Sequence, residues 1–493
     1  MKSFLIPFFV VLPLGAAFLV VLVPTRLRKI ADVLANLCAL MLLIAAGIVC
    51  VKGITGVYFV GGWEIPVGIS MVLDGFSGLM LLTISVITFA STLYSVSYME
   101  QFTWKTKFYC LFLLMVAGMN GVVLSGDFFN LFVFLEIASI ASYALVGYGC
   151  RHEELEATFK YLALGNLAAL CVLLGVAFVY GLTGTLNMAD FSIRTAGYMN
   201  NGLLIALALF LTGFGLKAAL VPMHAWLPDA HPSAPTPISA MLSGVFIKAT
   251  GVYALVRVSM NVFPPMQLTH EIILVLGGLS MVVGVFMAIG QWDFKRLLAY
   301  HSISQIGYVM IGIGLGTPLG ILGAVYHLIN HAAFKSLLFL GAGAVEYQTG
   351  TRQLRQMGGL RQRMPVTSSS TLIASLAISG LPPFNGFFSK VIIIWACVQA
   401  NRYGYAVAAV IVSVMTIASF MKVQKYAFFG KLKEKWDNIK EVPVTMQIAM
   451  AFLAILCVLM SLLIVPALRD VVLQPAVDSI IAGTNYVTFA GGP

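Results

Sequence analysis

Residues 203–230 form an apolar stretch with two interruptions, reading LLIALALFLTGFGLKAALVPMHAWLPDA. Pro222 has no backbone N–H and clashes with the preceding turn, so it predicts a break in a helix. Lys217 lies shortly before that proline. An interrupted helix at membrane depth is tolerated only where its freed backbone groups line a cavity or are buried in protein. The stretch therefore predicts a broken transmembrane helix with an ionisable group beside the break.

A second interrupted stretch covers residues 375–398 and reads SLAISGLPPFNGFFSKVIIIWACV. Four glycines and prolines interrupt its middle, namely Gly380, Pro382, Pro383 and Gly386. The surrounding apolar segment, 366–400, would be about 52 Å long as one straight helix, well beyond a bilayer. Lys390 follows the break, as Lys217 precedes the first one. The simpler alternative is that proline and glycine only kink two packed helices.

The composition also indicates a membrane protein. Of the 493 residues, 60% are hydrophobic and only 10% are charged, against roughly 25% charged in soluble chains. This excludes a soluble enzyme, a disordered protein and a nucleic-acid binder. The apolar runs are continuous, whereas strands of an outer-membrane barrel alternate. The seven cysteines form no CxxC, so we expect no zinc or iron–sulfur site and no cofactor in this chain.

Fourteen hydrophobic segments predict an all-α polytopic membrane protein with about fourteen transmembrane helices. Most have about 20–25 residues, enough to cross a hydrocarbon core of about 30 Å. The segments are 3–24, 30–51, 69–97, 107–125, 128–149, 157–182, 202–228, 235–262, 268–290, 295–315, 318–346, 366–400, 403–430 and 443–467.

The basic residues predict the orientation of these segments. Of the 29 lysines and arginines, nineteen lie in loops after odd-numbered segments, six in even-numbered loops or termini, and four within segments. The positive-inside rule then places the odd loops in the cytoplasm and both termini outside. The net charge of +10 is explained by this topology, and no acidic partner is needed.

The two broken segments are the seventh and the twelfth. Because they are five spans apart, an odd number, they cross the membrane in opposite directions. This arrangement is typical of inverted-topology repeats, whose broken helices mark the ion or substrate path.

Ionisable residues inside predicted spans are costly and indicate function by default. The candidate site residues are Glu136, Lys217, Lys248, His327, His331, Lys335 and Lys390. The two histidines and Lys335 are spaced by four residues, so they share one helix face. A row of such groups can pass protons by small changes in pairing.

Structural roles compete with this interpretation. Glu136 and Lys217 could simply lock two helices together. His327 could be an ordinary hydrogen-bonded core histidine. Lys335 could pair with Glu346, which lies eleven residues further on the same face. Lys390 could extend to the outer interface.

Two other groups are expected to be structural. Asp74 and Arg257 lie near predicted span ends, where we expect them to be interfacial. His224, Asp229 and His231 resemble a set of metal ligands in spacing, but spacing does not show that ligands converge. We expect them to brace a loop and predict no metal site.

Several motifs resemble the antiporter-like subunits of respiratory complex I. They are HAWLPDAHPSAPTPISAMLSG (224–244), FKRLLAYHSISQIGYV (294–309), HLINHAAFKSLLFLGAGAV (327–345) and SGLPPFNGFFSK (379–390). The same family includes large subunits of Mrp Na⁺/H⁺ antiporters and of group 4 membrane-bound hydrogenases. GDFFNLFVFLEIASIASYAL (126–145) and TGTLNMADFS (183–192) are most similar to the Mrp D-type subunit.

The resemblance, over about residues 70–430, implies a fourteen-helix fold with two inverted five-helix repeats, spans 4–8 and 9–13. The implied units are 1–106 (spans 1–3), 107–262 (first repeat), 268–430 (second repeat) and 443–493 (span 14 and a short tail). It implies a half-channel pair at Glu136 and Lys217, a central relay at Lys248 and an outward relay at Lys390. His327, His331 and Lys335 match the eleventh-span residues of larger members.

The implied function is movement of protons, or Na⁺/H⁺ exchange, by a subunit of a respiratory or Mrp-type complex in a prokaryotic inner membrane. The implied partners are a second antiporter-like subunit and small membrane subunits, with or without a peripheral redox arm. Because the chain has no redox site, the sequence leaves open whether that complex is an enzyme, such as a quinone oxidoreductase or hydrogenase. The alternatives are a stand-alone transporter of an organic solute, which needs a roomy pocket, and a non-conducting scaffold.

Overall fold

The computed structural model describes residues 2–483, and most of them are helical. The described part contains one small hairpin, in which β1 (Gly56–Phe59) pairs antiparallel with β2 (Ser70–Leu73). The helices before the first break are α1 Lys2–Leu22, α2 Arg28–Lys52, α3 Gly75–Tyr98, α4 Lys105–Leu124, α5 Phe128–Val146, α6 His152–Thr183, α7 Met188–Arg194 and α8 Asn201–Lys217.

The helices after the first break begin with two short ones that lead into the eighth predicted segment. They are α9 Leu227–Ser233, α10 Thr236–Met241, α11 Ala254–Val256, α12 Gln267–Ile289, α13 Phe294–Gly314, α14 Pro318–Thr349, α15 Pro365–Ser379, α16 Asn385–Gln399, α17 Tyr403–Val423, α18 Val444–Leu459, α19 Pro466–Val472 and α20 Gln474–Ile481. Three π-helical stretches, Leu242–Tyr253, Arg257–Val262 and Gln424–Phe428, continue α10, α11 and α17.

Eleven helices in the described part are long and apolar enough to cross a membrane. The seventh and twelfth predicted segments hold only shorter apolar helices, α8 and α16. The tenth forms α13, which carries His301 and Gln305 and is not among the eleven. The prediction of an all-helical, multi-pass membrane protein is therefore confirmed. The count of fourteen spans, the inverted repeats and the unit boundaries stay predictions.

Both predicted helix breaks are present. α8 ends at Lys217, and Ala219 then adopts a positive φ of 56°. The indole Nε1 of Trp226 donates to the Leu216 carbonyl at 3.0 Å, which satisfies one of the groups that the helix end leaves free. α15 ends at Ser379 and is capped by Gly380, whose φ of 76° favours glycine.

The spans that carry the central candidate residues lie in the interior. The span Thr236–Val262 and α14 are buried along their whole apolar stretch. α14 packs against α10, α13, α15, α16 and α18. Ionisable groups on these two spans therefore face protein and not lipid.

The prediction that Asp74 and Arg257 are interfacial is wrong. Both side chains are buried, and Arg257 NH2 lies 2.7 Å from Asp74 Oδ2. Nearby, Asn261 donates to the backbone of the C-terminal segment, including the Ser479 carbonyl at 2.9 Å. The span ends are buried because α20 packs on α3 and α14.

Candidate functional site

Glu136 and Lys217 come together between α5 and the end of α8. Lys217 Nζ lies 3.7 Å from Glu136 Oε1. The ammonium also donates to Ser139 Oγ at 2.7 Å and to Tyr143 OH at 3.2 Å. The predicted pair is thus present, with Lys217 held by two neutral oxygens as well as by the carboxylate.

Ser139 and Tyr143 were missed by the sequence analysis, although their spacing could have revealed them. They follow Glu136 by three and seven residues, which places all three on one face of α5. Asp127 fixes the start of that helix, because its side chain accepts from Asn130 N at 2.8 Å.

Glu136 also lies at the side of the bundle. Its side chain is 21% exposed, whereas Lys217 is 1% exposed. Val133 and Ile140, one turn before and after Glu136, are exposed. A carboxylate in the middle of a span would be costly if it faced lipid. This surface of α5 therefore fits contact with another membrane protein.

Lys248 lies at the centre of the bundle, in the π-helical turns that follow α10. Its Nζ donates to the Ser243 carbonyl at 2.6 Å. Ser243 Oγ in turn lies 2.7 Å from Ser302 Oγ of α13. π-Helical turns are rare and occur frequently at functional sites. Nothing in the residue pattern indicated the π-helix.

Lys335 does not pair with Glu346, so that structural alternative is wrong. Its amine donates to the Leu298 carbonyl of α13. Glu346 lies 2.7 Å from Lys295, which belongs to the start of α13. Glu346 pairs with Lys295 and not with Lys335 because it lies eleven residues, about three turns, beyond Lys335 along α14.

His327 and His331 are fully buried and lie with nearly parallel rings 6.3 Å apart. His327 bonds to Ser389 Oγ at 2.9 Å and to Gln305 Oε1 at 3.1 Å. Both ring nitrogens of His331 lack a partner in the described part of the chain. His301, in contrast, faces Ser419 of α17 at 2.8 Å.

Lys390 is buried at the second break. Its Nζ donates to the Ile378 carbonyl at 2.7 Å, near the end of α15, and lies 3.4 Å from Ser413 Oγ. The amine also lies 5.1 Å from the centre of the Tyr308 ring. Because the side chain turns inward and is 2% exposed, the alternative that Lys390 extends to the outer interface is wrong.

An asparagine pair that the sequence analysis missed fastens this break to α14. Asn330 Nδ2 donates to the Asn385 carbonyl at 3.0 Å, and Asn385 Nδ2 donates to Asn330 Oδ1 at 3.1 Å. Both residues are fully buried. The pair holds the first residue of α16 beside the histidines of α14.

The seven predicted site residues therefore fall into three groups. Glu136 and Lys217 form an ion pair, and His327 and His331 are neighbours. Lys248, Lys335 and Lys390 each donate to a backbone carbonyl. Within residues 2–483, none of these last three lysines has a carboxylate partner and no metal-binding cluster is found.

The physical chemistry of the three carbonyl-bound lysines differs from that of Lys217. A carboxylate favours the charged ammonium. A carbonyl oxygen accepts a hydrogen bond from an ammonium or from a neutral amine. These lysines can therefore gain or lose a proton without losing their hydrogen bond.

Two family descriptions match the chain. "NADH:quinone oxidoreductase/Mrp antiporter, TM" matches residues 125–416, and "NADH-Ubiquinone oxidoreductase (complex I), chain 5 N-terminus" matches residues 60–109.

Curated relatives and a solved structure agree with this match. The chain is 38% identical over 393 residues to the D-type subunit of the Na(+)/H(+) antiporter of Alkalihalophilus pseudofirmus, covering 79% of each protein. It is 36% identical over 409 residues to the N-type subunit of the NADH-quinone oxidoreductase of Desulforudis audaxviator, covering 81% of each. A chain of the Mrp complex from Dietzia sp. DQ12-45-1b superposes with a TM-score of 0.90 and 28% identity, covering 100% of this chain and 99% of that one.

Proposed function

The chain belongs to the NADH:quinone oxidoreductase/Mrp antiporter family of membrane subunits, and we propose that it moves protons through the row of buried groups from Glu136 to Lys390. It is an antiporter-like subunit of a larger membrane complex. The observation that carries the proposal is the burial of four lysines in separate spans, three of them bonded to carbonyl oxygens. Each lysine inside a span adds its own free-energy cost of membrane insertion. A purely structural helix bundle would not need four such residues.

The groups of the row have distinct roles in this proposal. Glu136 sets the charge of Lys217, and a change in their pairing releases or takes up a proton at Lys217. Lys248 and Lys335 pass protons through the centre. His331 and His327 connect Lys335 to Lys390, which exchanges protons on the outward side.

The surface of α5 around Glu136 supports assembly with a neighbouring membrane protein. We expect that neighbour to cover the exposed part of the carboxylate. A second antiporter-like subunit and small membrane subunits are the proposed partners. The proposed location is the inner membrane of a prokaryotic cell, with both termini outside, which reporter fusions at each terminus would test.

We favour an Mrp-type Na⁺/H⁺ antiporter complex as the parent assembly. The similarity to the D-type protein of a Na⁺/H⁺ antiporter and the fit to a chain of an Mrp complex support this choice. The second candidate is a redox-driven proton pump, which the nearly equal identity to a quinone oxidoreductase component favours. Genes for hydrogenase or quinone modules beside this gene would support the pump, and genes for small membrane subunits alone would support the antiporter.

The deciding experiment uses everted membrane vesicles that contain the whole complex. Respiration first acidifies the vesicle interior, and a pH-sensitive dye reports whether added Na⁺ dissipates that gradient. The antiporter proposal predicts dissipation that requires Glu136 and Lys248. Proton uptake driven only by electron transfer through the purified complex would favour the pump.

A further inference from the structure

A charged cavity of about 780 Å³ opens at the loop end of α13 and α14. Seven of its lining residues are charged: Arg151, Glu153, Glu154, Asp293, Lys295, Glu346 and Arg352. Lys295 and Glu346 form an ion pair at 2.7 Å. Arg352 Nε lies 3.2 Å from Asp293 Oδ2. A cavity with polar walls and this volume is large enough to hold water.

His231 directly precedes, in the chain, a segment that lines this charged cavity. The three residues that follow it in the chain, 232–234, line the cavity. Its carbonyl accepts from Ser239 Oγ at 2.7 Å, which fixes the end of α9. The side chain itself is fully buried.

The imidazole of His231 has no hydrogen-bond partner on either ring nitrogen within residues 2–483. Leaving a buried donor or acceptor without a partner costs roughly 1–3 kcal/mol. A side chain that only braced the loop would be expected to bond to it. Two unpartnered nitrogens instead suit a group that exchanges protons with water.

Phe339 separates His231 from Lys335. The imidazole lies 5.0 Å from the centre of the Phe339 ring, and Lys335 Nζ lies 5.5 Å from the same centre. Phe339 follows Lys335 by one helical turn, and His331 precedes Lys335 by one turn. Lys335 therefore neighbours two imidazoles that have no hydrogen-bond partners in the described part of the chain. One of them, His231, directly precedes the cavity-lining segment.

We propose that His231 carries protons between the charged cavity and Lys335, and that Phe339 controls the last step. One ring nitrogen accepts a proton from a hydronium ion in the cavity, which becomes water, while the other releases its proton towards the neutral Lys335 amine. The imidazole becomes neutral again as the amine becomes an ammonium, so no other reactant is needed. This inference rests on the proposed function, because it assigns the group that protonates Lys335.

The test compares His231→Gln with His224→Gln in everted vesicles that contain the whole complex. Glutamine keeps polar atoms but cannot titrate. His224, in the same connecting segment, is half-buried and has an unpartnered Nδ1, so it is a matched control. Rates are expressed per assembled complex, so a loss of assembly does not decide the outcome. We expect H231Q to lower the Na⁺-dependent rate about 100-fold, the lower range for losing a positioned proton-transfer group, and H224Q to leave it unchanged.

A second pair of variants separates proton transfer from a structural role. H231Q/F339H places an imidazole where the Phe339 ring now lies, near both residue 231 and Lys335. H231Q/F339L places a similar volume there without a titratable group. We expect H231Q/F339H to reach at least about a tenth of the wild-type rate, which is tenfold above H231Q and corresponds to roughly 1.4 kcal/mol in barrier. We expect H231Q/F339L to keep the low rate of H231Q. A wild-type rate in H231Q, or equal rates in the two double variants, would overturn the proposal.

The outcome also distinguishes this inference from the proposed function. If Lys248→Met blocks transport while H231Q does not, the row conducts and only the role of His231 is wrong. If both variants transport normally, the proposed function fails as well.

Discussion

Lys335 hydrogen-bonds to the backbone carbonyl of Leu298 on the neighbouring helix α13, not to a carboxylate. Lys217, in contrast, has Glu136 within 3.7 Å. The two lysines therefore respond differently to the loss of a neighbour. The charge of Lys217 is balanced by a carboxylate that a substitution can remove. The hydrogen bond of Lys335 is made to a backbone carbonyl, which a side-chain substitution does not remove.

Glu136→Ala is expected to abolish coupled transport while the complex still assembles. The variant leaves Lys217 with only the hydroxyl groups of Ser139 and Tyr143, so its charge is no longer balanced. Glu136→Asp should keep part of the activity because it keeps the carboxylate. Dye-reported ΔpH dissipation in vesicles with matched amounts of complex measures both. The control is Glu434→Ala, at an exposed position, and wild-type transport by Glu136→Ala would refute the pairing.

Lys390→Ala is expected to block ion release and to leave assembly intact. The amine is buried and bonded to the Ile378 carbonyl at the second break, so its removal interrupts the row at its outward end. Lys425→Ala is the control, because Lys425 is exposed on the π-helical turns after α17. Unchanged transport by Lys390→Ala, measured per assembled complex, would exclude Lys390 from the path.

Gly251→Ala is expected to impair transport although it changes no charge. A Cβ at Gly251 would lie 2.4 Å from the Ala218 backbone nitrogen, directly after Lys217. The broken helix must therefore move, at a cost of about 1–3 kcal/mol. We expect a lower melting temperature of the complex and a lower rate. Gly404→Ala, where nothing lies within 4 Å of the added Cβ, should behave like wild type, and normal transport by Gly251→Ala would show that the Lys217 position tolerates displacement.

Asp74→Ala is expected to destabilise the fold without acting on the ion path. Removing one partner of a buried ion pair typically costs about 3–5 kcal/mol, and Asp74 also accepts from Ser77 N at the start of α3. Asp74→Asn should lose less because it keeps hydrogen-bonding capacity. Thermal unfolding of the detergent-solubilised complex measures both, and equal melting temperatures for wild type and Asp74→Ala would contradict this assignment.

The sequence predicted the features that depend on local chemistry. Pro222 and the Gly380–Gly386 stretch mark the breaks because they cannot continue a helix, and Glu136 lies opposite Lys217 as expected. The burial of Asp74 could not be foreseen, because α20, about 400 residues later in the chain, covers it. Glu346 pairs with Lys295 and not with Lys335 because of the way α13 packs on α14. The spacing of residues along one helix cannot predict that packing.

Residues without charge were the hardest to identify as parts of the site. Ser243 and Leu298 contribute backbone carbonyls, which any residue type supplies. Tyr308 and Phe339 are two of many aromatic residues in apolar runs. Only packing shows that their rings adjoin Lys390 and Lys335.

Protons pass through the interior of this chain in the proposed function, and Lys248→Met is the decisive variant. Lys248 is fully buried in the middle of the bundle, and methionine fills a similar volume without the charge. The measurement is Na⁺-dependent ΔpH dissipation in everted vesicles, normalised to assembled complex, for wild type, Lys248→Met and Lys248→Arg. We expect Lys248→Met to assemble normally and to transport at the background rate, and Lys248→Arg to assemble as well. Transport by Lys248→Met at the wild-type rate would contradict a path through the eighth predicted span.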